Sequence, residues 1–208
     1  MFGLDAGGGL RLELAHPTHA GRLFASVDAN RGHLADWFPW VAITAAAADT
    51  VAYLTGALEE YVRGEAVPTV LVLGEAVIGT AGLYAIQKDG SSARIGYWLA
   101  ADYEGRGLMV RAVRVLVRFG FEVLALRRLD VLCAKSNARS ARVAEHLGMV
   151  LTGRLPDEIT LAGARAGEVE DALVYSLTAE AFRQGRAPGD VDGAGAAGCR
   201  GDETETGE

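Results

Sequence analysis

The segment from Ile95 to Leu124 constrains this chain more than any other. Ile95-Gly96-Tyr97-Trp98-Leu99-Ala100 reads as a strand. It runs into the loop Ala101-Asp102-Tyr103-Glu104-Gly105-Arg106-Gly107, and the loop opens a long amphipathic run. From Gly105 to Leu124, the residues Leu108, Ala112, Val113, Leu116, Phe119, Gly120, Val123 and Leu124 share one helical face. Arg111, Arg114, Arg118 and Glu122 share the other, with the spacing of a solvated face. With the mixed order of strands and helices along the rest of the chain, this segment suggests an α/β fold with a mixed sheet.

The same loop is suited to an anion. Unpaired N–H groups at a helix start point outward, and the helix dipole adds partial positive charge. Gly105 and Gly107 let a phosphate approach the backbone without a Cβ in the way, and Arg106 adds charge at the same place. A tight strand-to-helix turn would also use Gly-x-Gly, so the loop alone does not decide. A dinucleotide fingerprint fits poorly, because its third glycine would fall on Val110 and Asp130 begins its strand instead of ending it. A P-loop is excluded, since no Gly-Lys-Ser/Thr follows.

The flanking elements alternate in kind. Leu10, Leu12 and Leu14 alternate with Arg11 and Glu13 as a half-buried strand, and residues 17–31 follow as a helix with Pro17 in its first turn. Asp49 is the expected N-cap of a helix reaching about Arg63. Val67–Leu73, Ala76–Ala85 and Ala93–Ala100 form an antiparallel meander with turns at Gly74-Glu75 and Asp89-Gly90-Ser91. Residues 128–134 are a strand, and Asn137 caps a short helix that Gly148 ends. Met149–Leu155 and Val169–Leu177 are strands, with a strand or loop at Glu158–Leu161 between them. The folded domain is expected over residues 10–183, after a loose N-terminus at 1–9. Residues 184–208 hold six acids, two arginines and almost nothing large and apolar, so a disordered acidic, Gly-rich tail is expected.

Composition narrows the partners. Lys+Arg number 20 against 27 Asp+Glu, a net charge of −7, which disfavours nucleic acid and anionic membrane surfaces. The longest uncharged stretches, Trp37–Ala48 and Ala76–Gln87, are 12 residues each and too short to span a bilayer. The N-terminus lacks a secretory pattern. Cys133 and Cys199 make no disulfide framework; Cys133 reads as a small core residue in an apolar strand. Two free thiols suit a reducing compartment, and a soluble, cytoplasmic protein is expected. The four histidines give no metal set.

Three blocks carry a resemblance. Asp102 to Met109 looks like the acyl-CoA pyrophosphate loop Q/R-x-x-G-x-G/A of GNAT-type N-acetyltransferases, with Asp102 at the first position. Asn137-Ala138-Arg139-Ser140 followed by Leu147-Gly148-Met149 is similar to the N-x-x-S…L-G-F segment of that superfamily, Met149 replacing the aromatic. Trp37-Phe38-Pro39-Trp40 resembles the Trp/Pro motif of the RimJ/RimL branch, the ribosomal-protein N-acetyltransferases. The resemblance covers residues 10–180.

The resemblance implies the GNAT fold: a central mixed, mostly antiparallel sheet, splayed mid-way and flanked by helices on both faces. It implies acetyl-CoA as cosubstrate, bound by Leu99, Ala100, Glu104, Gly105, Arg106, Gly107, Leu108, Met109, Asn137 and Ser140. It implies direct attack by a primary amine, either a protein N-terminal amine or a small amine, and a homodimer. Ser140 would donate a hydroxyl to the leaving thiolate; its bland alternative is a surface serine near a helix start. Glu158 is the general-base candidate, although an ungapped count places the family's glutamate at Ile159. Trp37, Trp40 and Tyr97 would line the acceptor pocket, or simply be core. Use of succinyl-CoA, and a non-catalytic acyl-CoA-binding module, remain open at this point.

Overall fold

Two adjacent strands, β3 (Val67–Leu73) and β4 (Ala76–Tyr84), are buried along nearly their whole length. Such runs belong in the middle of a sheet that is covered on both faces. Side chains alternate between those faces: Leu71 joins one core cluster while Val70 and Val72 join the other. The computed structural model describes residues 2–185. Residues 186–208, with Cys199 and nearly all of the expected acidic tail, lie outside the described residues.

Around that pair an eight-stranded sheet forms in the order β1-β2-β3-β4-β5-β6-β8-β7. The other strands are β1 (Gly3–Asp5), β2 (Leu10–Leu14), β5 (Ala93–Leu99), β6 (Arg128–Ala134), β7 (Val150–Thr160) and β8 (Val169–Thr178). Every neighbouring pair is antiparallel except β5 and β6. These two are parallel and pair only from Ala93–Leu129 to Ile95–Val131. Beyond Ile95 both strands continue, to Leu99 and Ala134, on their outer neighbours β4 and β8 but without pairing to each other. That splay opens the sheet at its centre, as the resemblance implies.

Helices cover both faces. One face carries α5 (Leu108–Arg118), which buries Leu108, Met109, Ala112, Val113, Leu116 and Val117 in the larger core cluster. The opposite face carries α1 (Ala20–Ala29), α2 (Arg31–Ala35), α3 (Trp40–Ile43) and α4 (Ala47–Val62), around Leu23, Val27, Leu34, Val41 and Leu54. After β6 come α6 (Ala138–His146) and, beyond β8, α7 (Ala179–Gln184).

Several expectations are corrected. The N-terminal residues are not loose: Gly3, Leu4 and Asp5 pair with Glu13, Leu12 and Arg11, and Phe2 packs edge-on against Phe119 at 5.3 Å. The helix expected at 17–31 is a 3-10 turn (Pro17–His19), then α1, then α2. The break falls at Asn30, whose side-chain amide donates to the Ser26 carbonyl at 2.8 Å. Asp49 lies inside α4, not at its cap, and its carboxylate accepts the N–H groups of Ala45 and Ala46, each at 2.8 Å. The helix expected to reach Leu124 changes to a π-turn at Phe119–Val123. One wider turn shifts the side-chain register, so Phe121 is buried and Val123 is 65% exposed. Strand β7 is one element through Thr160, with a register irregularity between Leu155 and Ile159. Asp157 takes a φ of +53° there.

Candidate active site

The loop between β5 and α5 holds the geometry that an anion needs. A 3-10 turn (Ala101–Tyr103) leads to Glu104. Gly105 and Gly107 then take φ of +72° and +68°, a conformation that L side chains adopt at a cost. No side chain caps α5, so its first N–H groups are free for a ligand. A Cβ built on Gly105 or Gly107 meets nothing within 4 Å. The open space beside them belongs to a cleft of about 940 Å³ that follows the splay between β5 and β6.

Leu99, Glu104, Gly105, Gly107, Leu108, Met109, Asn137 and Ser140 all line that cleft. Two expected contributors do not. Ala100 is buried and its N–H is taken by the Ile78 carbonyl at 2.8 Å. Arg106 folds back, donating to the Asp102 carbonyl at 2.7 Å with its guanidinium 5.3 Å from the Tyr103 ring centroid. The cations on the cleft wall are instead Arg139 and Arg142 of α6. Glu104 has its carboxylate between two partners, the His33 ring at 3.2 Å and Arg139 at 3.0 Å. The Arg139 guanidinium offsets a negative charge that would otherwise oppose a phosphate.

At the other end of the cleft stand Tyr97, Cys133 and Ser140. Asn137 caps α6 by accepting the Ser140 N–H at 3.1 Å, as its spacing predicts. The Tyr97 hydroxyl donates to the Ser140 carbonyl at 3.0 Å and lies 3.1 Å from Ser140 Oγ. Burial pushes the Tyr97 hydroxyl far above the usual phenol range, so it stays protonated and able to donate. Burial also raises the Cys133 thiol, opposed by a hydrogen bond with Ser140. Cys133 is therefore a cleft wall as well as core.

The expected acceptor aromatics divide between two spaces. Trp37 lines the cleft, and Trp40 lines a second cavity of about 550 Å³ on the opposite face of the sheet. Tyr97 borders both. Glu158 is exposed and is not part of the cleft wall; Ile159, the next residue, is. Among the described residues Glu104 is the one carboxylate lining the cleft, and no group of three or more His, Cys, Asp or Glu could hold a metal.

His33, Arg139 and Arg142 were not singled out from the sequence. His33 comes to the cleft only because α2 packs near the loop, where Asn30 accepts the Ala101 N–H at 2.9 Å. Arg139 and Arg142 had a signal: they follow Asn137 on the same short helix. The stripe residue Arg111 is half-buried, and its Nε has no partner. No helix among the described residues is long and apolar enough to cross a membrane.

Comparison with known proteins agrees with this geometry. The model of the acetyltransferase (GNAT) domain matches residues 10–150. The chain is 27% identical over 179 residues to the putative ribosomal N-acetyltransferase YdaF of Bacillus subtilis, covering 85% of this chain and 95% of the relative. It is 26% identical to the ribosomal-protein-serine acetyltransferase of Escherichia coli, over 70% of this chain and 82% of that one. Among solved structures, RimL, a ribosomal L7/L12 alpha-N-protein acetyltransferase in complex with coenzyme A, superposes with a TM-score of 0.81 at 23% identity, covering 86% of this chain and 99% of that one. The ribosomal-protein-S5-alanine acetyltransferase of Vibrio fischeri gives 0.78 at 24% identity, covering 88% and 99%. The chain belongs to the GNAT acetyltransferase family and is an N-acetyltransferase with acetyl-CoA as its cosubstrate.

Proposed function

We propose that the chain acetylates the α-amine of a protein or peptide N-terminus, as the names of its ribosomal-protein acetyltransferase relatives suggest. The observation that carries this reading is the splayed β5–β6 gap, which joins a donor cleft on one face of the sheet to a second cavity on the other. Two reactants reaching one point from opposite faces suit direct transfer without a covalent enzyme intermediate.

Each residue then has a role. The N–H groups at the start of α5, made accessible by Gly105 and Gly107, hold the pyrophosphate, with Asn137 and Arg139 alongside. Backbone N–H groups of Gly96–Leu99 on the side facing the β5–β6 gap polarise the thioester carbonyl. Ser140, held by Tyr97, supplies a proton to the departing thiolate. Glu158 takes the amine proton through water, since its exposed carboxylate lies off the cleft wall. We also infer a cytoplasmic location. A homodimer is supported by the exposed Val150, Leu151 and Leu155 on edge strand β7. Light scattering at working concentration tests the dimer, and a monomer removes it.

The function is tested by titrating acetyl-CoA and succinyl-CoA calorimetrically, then assaying thiol release with peptides of free and of blocked N-termini. Acetyl-CoA binding with turnover only on free N-termini is the expected result. Equal turnover on blocked peptides through lysine side chains would overturn the N-terminal reading. Preference for succinyl-CoA would change the acyl group while keeping the fold.

A further inference from the structure

A carboxylate stands where a phosphate site has least use for one. Glu104 immediately precedes Gly105, and among the described residues it is the one carboxylate lining the donor cleft. The N–H groups at the start of α5 attract any negative charge within reach, a carboxylate as readily as a phosphate. Yet Glu104 does not take them, since no side chain caps α5. Its backbone is fixed by its own N–H, which donates to the Ala101 carbonyl at 3.1 Å. Its two carboxylate oxygens are divided between two other elements. Oε1 lies 3.2 Å from Nε2 of His33 on α2, and Oε2 lies 3.0 Å from the Arg139 guanidinium on α6.

The cleft face of α6 gives the contrast that makes this pair informative. Arg139, Ser140, Arg142, Val143 and His146 line the cleft, three and four positions apart, so they share one helical face. The His146 ring turns into its own helix, with Nδ1 2.7 Å from the Arg142 carbonyl. Two arginines therefore look into one cleft from one helix, and their states differ. Arg139 is held by Glu104. Arg142 makes no ion pair among the described residues and stands as a permanent positive charge on the wall.

We propose that Glu104 is an exchange partner for Arg139: it holds the guanidinium beside the phosphate loop and yields it to the diphosphate of the incoming cosubstrate, while His33 keeps the released carboxylate turned away from the helix start. The inference rests on the donor-site reading and adds a positioning pair to it. A guanidinium fork fits a carboxylate and a phosphate equally well, so Arg139 changes partner without leaving the cleft. The pair is partly exposed, with Arg139 70% and Glu104 30% accessible, so breaking it costs little. The exchange sets affinity and leaves the chemical step alone. Acetyl-CoA and CoA carry the same diphosphate, so Glu104 weakens both to the same degree. It thereby limits retention of the CoA product.

The test is calorimetric titration of the full chain with acetyl-CoA and with CoA, at low and at high salt. Glu104→Gln is expected to tighten both ligands by about threefold to tenfold at low salt, and by less at high salt. Arg139→Gln should weaken binding by about threefold in the parent but by about tenfold in the Glu104→Gln background, where no carboxylate competes for the guanidinium. Arg142→Gln is the control, with the same loss in both backgrounds. His33→Ala should weaken acetyl-CoA binding in the parent and have no effect once Glu104 is Gln, a dependence that a purely structural role for His33 does not produce. Unchanged or weaker affinity in Glu104→Gln would overturn the exchange, as would an equal cost of Arg139→Gln in both backgrounds. Tightening of acetyl-CoA without CoA would place Glu104 at the acyl group and overturn it too. Failure of the parent to bind acetyl-CoA would instead remove the donor-site reading beneath it.

Discussion

Gly107→Ala and Gly148→Ala make a matched pair that separates backbone strain from ligand contact. Both glycines hold a left-handed conformation, at φ +68° and +75°, and a Cβ on either meets nothing within 4 Å. The folded protein therefore loses the same kind of free energy in both, about 1–2 kcal/mol for an L residue in that region. For a chain of this size that lowers Tm by about 2–8 °C, taking about 2–4 °C per kcal/mol. The two differ in place. Gly107 caps α5 and lines the donor cleft, whereas Gly148 follows α6 and does not. A methyl group at Gly107 occupies the space through which a phosphate must reach the α5 N–H groups. Losing one hydrogen bond to a charged group costs about 1.5–3 kcal/mol, or about tenfold to a hundredfold in Kd. Differential scanning calorimetry and acetyl-CoA titration measure both quantities on each variant. The expected outcome is equal destabilisation with an affinity loss in Gly107→Ala alone. If Gly107→Ala binds acetyl-CoA as the parent does, or Gly148→Ala loses as much affinity, the helix-start reading is wrong.

Other expectations follow from the same contacts. Ser140→Ala should lower kcat about tenfold or more with little change in acetyl-CoA Kd, and Tyr97→Phe should reproduce part of that loss by freeing Ser140; pre-steady-state thiol release separates chemistry from binding. Glu158→Gln should lower kcat about tenfold or more while sparing acetyl-CoA affinity, because the amide cannot accept the proton that water relays from the amine. Ile159→Glu places a carboxylate on the cleft wall itself and should restore activity to Glu158→Gln; an unchanged kcat in Glu158→Gln alone would refute the water-mediated path. Glu170 is held below the usual carboxylate range by the Ser136 N–H and then by Arg165. Asp171 is held low by the Asp157 N–H and then by Arg154. With folded values below unfolded ones, Glu170 stabilises the contacts of β8 with Ser136 and Arg165, and Asp171 those of β8 with β7, above about pH 4, and that stabilisation fades as pH falls through the lowered folded values. Glu170→Gln should flatten the acid limb of a Tm-against-pH curve, and an unchanged limb would count against the assignment.

Much of the fold was legible because it is local. The glycine loop, the apolar face of α5, the cap at Asn137 and the alternation of β2 each follow from residues a few positions apart. The expected boundaries failed where a distant contact competed with local preference. Asn30 breaks the first helix while also binding Ala101, 71 residues away. Phe2 and its flanking residues become an ordered edge because Phe119 and Tyr61 wait for them. The π-turn after Arg118 reverses the burial of Phe121 and Val123, a change of period that no heptad count foresees.

The site divides in the same way. Gly105 and Gly107 are marked by a backbone conformation and Asn137 by its cap, both short-range properties, whereas Ser140 is marked by the resemblance. Arg106 was misplaced because sequence gives a charge but not its direction, and here the guanidinium turns back to Asp102. His33, Arg139 and Glu104 meet only once α2, the loop and α6 converge. In strand β7 one step in register decides whether Glu158 or Ile159 reaches the cleft, and an irregularity after Leu155 makes that step unreadable in advance. The sequence by itself determined the α/β class, the anion-ready helix start and the family motifs, since all depend on short-range geometry. Only the tertiary structure decided which charges meet, which carboxylate stays outside and that a second cavity opens beside the first. Those depend on how far β5 and β6 part, a property of the whole sheet.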